Sequence, residues 1–184
     1  MGQKFDALSD RLIEFIQQQH LFFVGTATEH SRVNISPKGM DSLRVLTPNR
    51  VIWLNVTGSG NETAGHIQKH PRMTIMFCAF SGKPMILRLY GTASVIHQND
   101  AEWHELFHLF DPLPGARQIF DLNIDLVQTS CGMAVPFFDY NGEREQLNNW
   151  AEKKGTTGIE DYWREKNSKT IDGITTHIED KNLS

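Results

Sequence analysis

Residues 51–72, VIWLNVTGSGNETAGHIQKHPR, constrain the fold more than any other stretch. An apolar run ends at Val56, Gly58 and Gly60 interrupt the backbone, and a polar-capped segment continues to Pro71. A second apolar run, 73–80, follows. This order predicts a strand, a glycine loop, a short helix starting near Asn61, and another strand. The two glycines would free the backbone to turn N–H groups toward an anion, and the helix start would add unbonded N–H groups and the positive end of its dipole. The same pattern also serves as a plain connection. It is neither a P-loop, since no Gly-Lys-Ser/Thr follows, nor a Rossmann fingerprint, since the glycine spacing differs.

With 184 residues, 39% hydrophobic and 22% charged, the chain is expected to be globular and to form a single domain over 1–184. A net charge of -4 gives no broad basic surface, so nucleic acid is not an expected partner. No apolar run is long enough to span a bilayer, and a membrane is not expected either. The polar start (MGQKFD) does not resemble a secretory signal, and Cys78 and Cys131 are too few for a disulfide scaffold. A cytoplasmic location with reduced thiols is the expectation.

Along the chain, Phe5, Leu8, Leu12, Phe15 and Ile16 mark an N-terminal helix within 1–20. Strand-forming runs follow at 21–28, 32–36, 43–46, 51–56, 73–80 and 85–97. In 32–36, Val33 and Ile35 share one face while Arg32, Asn34 and Ser36 share the other. Residues 99–110 predict a helix with Trp103, Leu106, Phe107 and Phe110 on one side, ended by DPLPG. Residues 117–125 are ambiguous, and 126–138 are mostly extended. Two short helices, 143–154 and 159–167, flank GTTG, and a polar tail begins at Ser168. About six mostly antiparallel strands with segregated helices predict an α+β chain built on a β-barrel. Its parts would be the N-terminal helix (1–20), the barrel core (21–140) and a C-terminal helical extension (141–184).

Several polar groups converge on an anion in this scheme. Thr57, Ser59, Gly60, Asn61 and Thr63 form the loop and helix start; Asn34, Ser36 and Lys38 come from an earlier strand and its exit turn. Arg88 interrupts an apolar strand, where it either faces solvent and an acidic partner or joins Lys38 in neutralising a phosphate. Arg32 and Arg72 are weaker choices, and Glu62 places a negative charge at the same helix end. Residues 104–108, HELFH, match a zinc-protease motif in which His104 and His108 bind the metal and Glu105 activates water. That helix stops almost at once and no third ligand follows, so an amphipathic packing helix explains it as well. Cys131, between Ser130 and Gly132, has no local base to make it a nucleophile.

Taken together, NISPKG (34–39), TGSGNET (57–63), PRMTIMF (71–77) and ILRLYG (86–91) resemble the pyridoxamine 5'-phosphate oxidase-like family of FMN-binding split β-barrels. TSCGMAVP (129–136) looks like a subgroup feature. The resemblance covers almost the whole chain. It implies a six-stranded split barrel, a homodimer, and FMN at its interface, with the phosphate between the 36–38 turn and the 57–63 loop. It also implies flavin-dependent oxidation or reduction of a small organic substrate, with few catalytic side chains. In the true oxidase an Arg-Lys pair at the helix start holds the phosphate; Glu62 and Thr63 stand there in this chain. The oxidase's C-terminal substrate-binding arginine and histidine have no clear counterpart, so vitamin B6 synthesis is not expected. A non-catalytic module for flavin, deazaflavin or haem is the alternative.

Overall fold

The structure, a computed structural model, describes residues 2–183. Eight strands form one antiparallel sheet: β1 (Gln3–Phe5), β2 (Phe22–Thr26), β3 (Asn34–Lys38), β4 (Leu43–Thr47), β5 (Arg50–Val56), β6 (Arg72–Cys78), β7 (Ile86–His97) and β8 (Ala116–Ser130). Their order is β3-β2-β6-β7-β8-β5-β4, with β1 added along the end of β8. The sheet curls but does not close. Its two edges, β3 and β4, are consecutive in sequence, and the turn 39–42 crosses the split between them.

The expected α+β split-barrel architecture is thus observed, with eight strands where six were expected. All six expected strands are present. The additions are β8, from the ambiguous segment and the start of the extended one that follows it, and β1, from the start of the expected N-terminal helix. That helix is shorter than its apolar pattern suggested: α1 spans Asp10–Gln17, and Phe5 closes β1 instead.

Strand alternation explains the layers. From β5, Val51 and Trp53 face the barrel interior with Phe22, Ile75, Phe77, Leu87, Leu89, Phe120 and Leu122, and α1 caps this core with Leu12, Phe15 and Ile16. Trp53 stacks on Phe120 at 4.6 Å between ring centres. Each fully buried aliphatic or aromatic side chain here stabilises the fold by roughly 1.5–3 kcal/mol. The alternate residues of β5, Ile52 and Leu54, are buried on the opposite face with Ile119, against Trp103, Leu106 and Phe110 of α3 (Trp103–Phe107) and its exit. Burial on both faces accounts for the unbroken apolar run at 51–54.

The short helix after the glycine loop, α2, spans Glu62–Lys69. The C-terminal layer is α4 (Gln146–Tyr162), interrupted by a non-helical Gly155, a π-helical turn Trp163–Asn167, and α5 (Ile178–Asn182). The break at Gly155 matches the two expected short helices. This layer has its own apolar centre of Ala151, Ile159, Trp163 and Ile178. It also approaches α2 so closely that a Cβ on Gly65 would lie 2.4 Å from the Thr170 Cγ2 methyl. Only glycine fits there without a shift. Among the described residues no helix is long and apolar enough to cross a membrane.

Candidate functional site

The split holds a cleft of about 430 Å³. Asn34, Ser36 and Lys38 reach it from β3, Trp53 and Asn55 from β5, Arg117 from β8 and Leu147 from α4, with the 57–61 loop and the helix start forming the far wall. Alternation places these groups. The polar face of β3 points into the cleft, whereas Val33 and Ile35 lie on the other side, 71% and 68% exposed.

Two cations dominate the chemistry. Lys38 Nζ lies 5.1 Å from the centre of the Trp53 ring, a cation–π distance. Burial, and then the neighbouring charge of Arg117, push the Lys38 ammonium down to about 8 from 10.5. Arg117 is only 4% exposed. Its Nη1 donates to Asn167 Oδ1 at 2.6 Å and its Nη2 to the Gly60 carbonyl at 2.7 Å. With the Asn55 amide turned oxygen-first, Nε donates to it at 3.1 Å. Desolvation lowers the guanidinium to about 9, which still leaves it charged at neutral pH. Among the described residues neither cation forms an ion pair with a carboxylate. Two like charges sharing a desolvated cleft are costly, and an anion between them would relieve both.

The polar neighbours divide into engaged and unengaged groups. Ser36 Oγ is buried with no hydrogen-bond partner among the described residues, and so is Asn61 Oδ1. A buried hydroxyl without a partner is uncommon and leaves a hydrogen bond open to whatever fills the cleft. Asn34 Nδ2 reaches Thr63 Oγ1 at 3.4 Å, tying β3 to the start of α2. Ser59 is exposed on the rim. Thr57, by contrast, has its hydroxyl committed: it donates to the Gly115 carbonyl at 2.7 Å and accepts from Trp163 Nε1 at 2.8 Å. Asn61 Nδ2 donates to the Asn167 carbonyl at 3.3 Å. Glu62 also lines the cleft, and its carboxylate accepts the Ile171 N–H at 3.1 Å.

One expectation is corrected and one detail added. Gly58 and Gly60 do not have positive φ. Gly60 instead contributes its carbonyl, which holds Arg117. Arg88 is not in the cleft. Leu87 and Leu89 of β7 enter the barrel core, so alternation sends Arg88 to the opposite face, where Nη1 donates to Ser130 Oγ at 3.1 Å. Arg32 pairs with Asp172, and Arg72 lies on the same outer face as Tyr90. The cation that replaces Arg88 beside Lys38 is Arg117, from the segment left ambiguous by sequence.

Beyond the turn 39–42 a second cleft, about 770 Å³, opens between the barrel end and the C-terminal layer. Its apolar floor includes Ile16, Phe22 and Phe77, and His20 stacks on Tyr140 at its rim with ring centres 3.6 Å apart. The turn between the clefts carries two consecutive left-handed non-glycine residues, Met40 (φ 63°) and Asp41 (φ 49°). Such backbone costs energy and is held by its surroundings. Here Arg44 clamps the Asp41 carboxylate at 2.9 and 3.0 Å and its carbonyl at 2.8 Å.

The remaining motifs stay outside these clefts. His104, Glu105 and His108 are exposed on or next to α3, whose buried side is Trp103 and Leu106. Among the described residues no group of three His, Cys, Asp or Glu side chains is placed to hold a metal ion. Cys131 is exposed, and Gly132 beside it adopts positive φ against the Met85 backbone, where a Cβ would come within 2.8 Å. That close contact accounts for the small residue.

Comparison with known proteins agrees with this geometry. Residues 8–131 match the family described as pyridoxamine 5'-phosphate oxidase. Over 188 residues the chain is 36% identical to the pyridoxamine 5'-phosphate oxidase family protein ustO of Aspergillus flavus, covering 92% of this chain and 76% of that one. A candidate pyridoxamine 5'-phosphate oxidase from Lactobacillus delbrueckii has a similar structure (TM-score 0.54, 21% identity, 67% of this chain and 94% of that chain). So does an FAD binding protein from Mycobacterium smegmatis (TM-score 0.50, 12% identity, 68% and 97%). These two solved structures share the fold. The match to residues 8–131, the 36% identity across most of the chain and the split-barrel topology together show that this chain belongs to the pyridoxamine 5'-phosphate oxidase family.

Proposed function

We propose that this protein binds FMN in the split-barrel cleft and is a flavin-dependent oxidoreductase acting on a small organic substrate. The observation that carries the reading is the donor set: Lys38 and Arg117, with no carboxylate ion-paired to either among the described residues, share the cleft with the unpartnered Ser36 hydroxyl. That set fits the dianionic phosphate of a flavin mononucleotide. Lys38 and Arg117 would neutralise it, Ser36 would donate to it, and Asn34, Ser59 and Thr63 would border it. Bound flavin supplies the redox chemistry, and the protein supplies position, polarity and exclusion of water. The second cleft, with its apolar floor and the His20–Tyr140 stack, offers the substrate a flat aromatic surface.

The reading includes a homodimer. An apolar β3 face showing Val33 and Ile35 at 71% and 68% exposure beside Phe23, Met76 and Tyr90 is the kind of surface a second copy covers. A cytoplasmic location is part of it as well, supported by two unpaired cysteines, Cys78 and Cys131. Purified protein should carry or take up FMN, shown by flavin absorbance and release on denaturation, and NADH or NADPH should bleach it anaerobically. A protein that stays colourless with added FMN refutes the cofactor. Bound flavin that no donor reduces favours a binding module over an enzyme, and a deazaflavin or haem spectrum would replace FMN. Light scattering of wild type and Ile35→Asp tests the dimer, which the aspartate should dissociate.

A further inference from the structure

We propose that Asn167, from the C-terminal layer, is a positioning residue for the anion cleft, so that this layer is a working part of the ligand site. The inference rests on the flavin reading above for the identity of the anion. Asn167 is fully buried in the π-helical turn Trp163–Asn167. Its side-chain oxygen accepts from Arg117 Nη1 at 2.6 Å, and its side-chain nitrogen donates to the Gly58 carbonyl at 3.1 Å. One amide therefore grips both the buried cation and the glycine loop. Its backbone carbonyl is held as well, by Asn61 Nδ2 at 3.3 Å and by Thr176 Oγ1 at 2.6 Å.

Three further links tie the layer to the same wall of the cleft. Trp163 Nε1 donates to Thr57 Oγ1, the Ile171 N–H donates to Glu62, and Leu147 lines the cleft itself. Arg117 is a long side chain whose charge must be aimed, and Asn167 and Gly60 fix the two ends of its fork. The neutrality of Asn167 matters as much as its geometry. A carboxylate at this place would hold the guanidinium equally well but cancel the charge an anion needs. The layer lies beyond residue 131, where the family match ends, so the family pattern does not supply this residue.

The test compares FMN with riboflavin, which lacks the phosphate, by fluorescence titration of wild type, Asn167→Ala, Asn167→Asp and Ile178→Ala. Asn167→Ala and Asn167→Asp should weaken FMN at least tenfold and riboflavin less than twofold. Ile178→Ala loosens the apolar centre of the same layer without removing a hydrogen bond to Asn167 or Arg117, and should shift both ligands alike. Equal losses for both ligands in the two Asn167 variants would overturn the positioning role and leave the flavin reading intact. If wild type binds no flavin, that reading fails instead, and the same variants are titrated with inorganic phosphate. Phosphate binding that Asn167→Asp abolishes then keeps Asn167 in its role; absent or unchanged phosphate binding overturns it.

Discussion

Lys38 gives the cleft a pH dependence that can be worked out in advance. Its ammonium titrates near 8 in the ligand-free protein, because burial and Arg117 disfavour the charge. A bound phosphate dianion supplies the missing counter-charge and should return the value to at least the ordinary 10.5. Binding then takes up most of a proton between about pH 8 and 10.5, where the free lysine has lost it and the complex keeps it. Between pH 7.5 and 9.5 the protonated fraction of free Lys38 falls from roughly three-quarters to about 3%, while the complex stays about nine-tenths protonated. Loss of the Lys38 proton should therefore lower FMN affinity about 20-fold over that interval, about 1.8 kcal/mol. The phosphate itself contributes nothing to this slope, since its second ionisation, near pH 6, is already complete. The assay is quenching of flavin fluorescence at fixed ionic strength, which holds screening constant. Lys38→Met keeps an unbranched stem over Trp53 but has no proton to lose there, so its profile should be shallower, keeping only the fall due to Arg117, whose value of about 9 lies in the same window. Riboflavin should show a flat profile with either protein. A flat wild-type profile, or an unchanged slope in Lys38→Met, refutes the assignment of Lys38 to the phosphate.

Three further outcomes are expected. Without ligand, Lys38 is a base whose folded value of about 8 lies below the ordinary 10.5, so the unfolded chain binds more protons between those values. Folding stability should rise with pH across that window, with Lys38 contributing at most about 3.4 kcal/mol; denaturant titrations should show a smaller rise in Lys38→Met, the remainder coming from Arg117, which is also lowered. Gly65→Ala places a methyl 2.4 Å from Thr170 Cγ2, and should cost about 1–3 kcal/mol in chemical denaturation, with faster hydrogen exchange around 168–176. Arg88→Ala should leave FMN affinity within about twofold in the same titration, because its guanidinium bonds Ser130 outside the cleft.

The fold was legible where local pattern and tertiary demand agree. The glycine loop flanked by two apolar runs gave β5, α2 and β6, and the alternation at 32–36 gave β3 with its polar face correctly grouped. Which face pointed inward was not legible, because periodicity states that two faces exist and not which is buried. The polar face turned inward here, against the usual rule, and lines the cleft in the split. The first part of β8 stayed ambiguous for a related reason, while 126–130 fell in the segment read as extended. Its polar residues Arg117, Gln118 and Asp121 are all buried, so composition alone does not mark them as a strand. The signal was present in Phe120, Leu122 and Ile124, which alternate with Asp121, Asn123 and Asp125 in a strand pattern. Asp121 is buried because Arg50 on the neighbouring strand meets its carboxylate at 2.6 Å, a cross-strand match that sequence order conceals.

The same limit explains why Arg88 was chosen and Arg117 overlooked. An arginine between two leucines signals a special environment, but alternation alone puts it on the face opposite those leucines. Arg117 gave no such signal. Its site is assembled by Gly60, 57 residues earlier in the chain, and Asn167, 50 residues later, each accepting from a different guanidinium nitrogen. Charge balance in such a cleft is a property of the assembled wall and not of the motif. In the proposed phosphate site Glu62 and Thr63 stand where the resemblance to the oxidase places two positive residues, with Glu62 bonded to the Ile171 N–H and Thr63 to Asn34. The positive charge is recovered from β3 and β8, and the C-terminal layer aims one half of it. A chain that keeps Lys38 and Arg117 but lacks Asn167 would therefore carry the cations without their alignment. This is why the ratio of FMN to riboflavin affinity, and not FMN affinity alone, is the decisive measurement for the Asn167 variants.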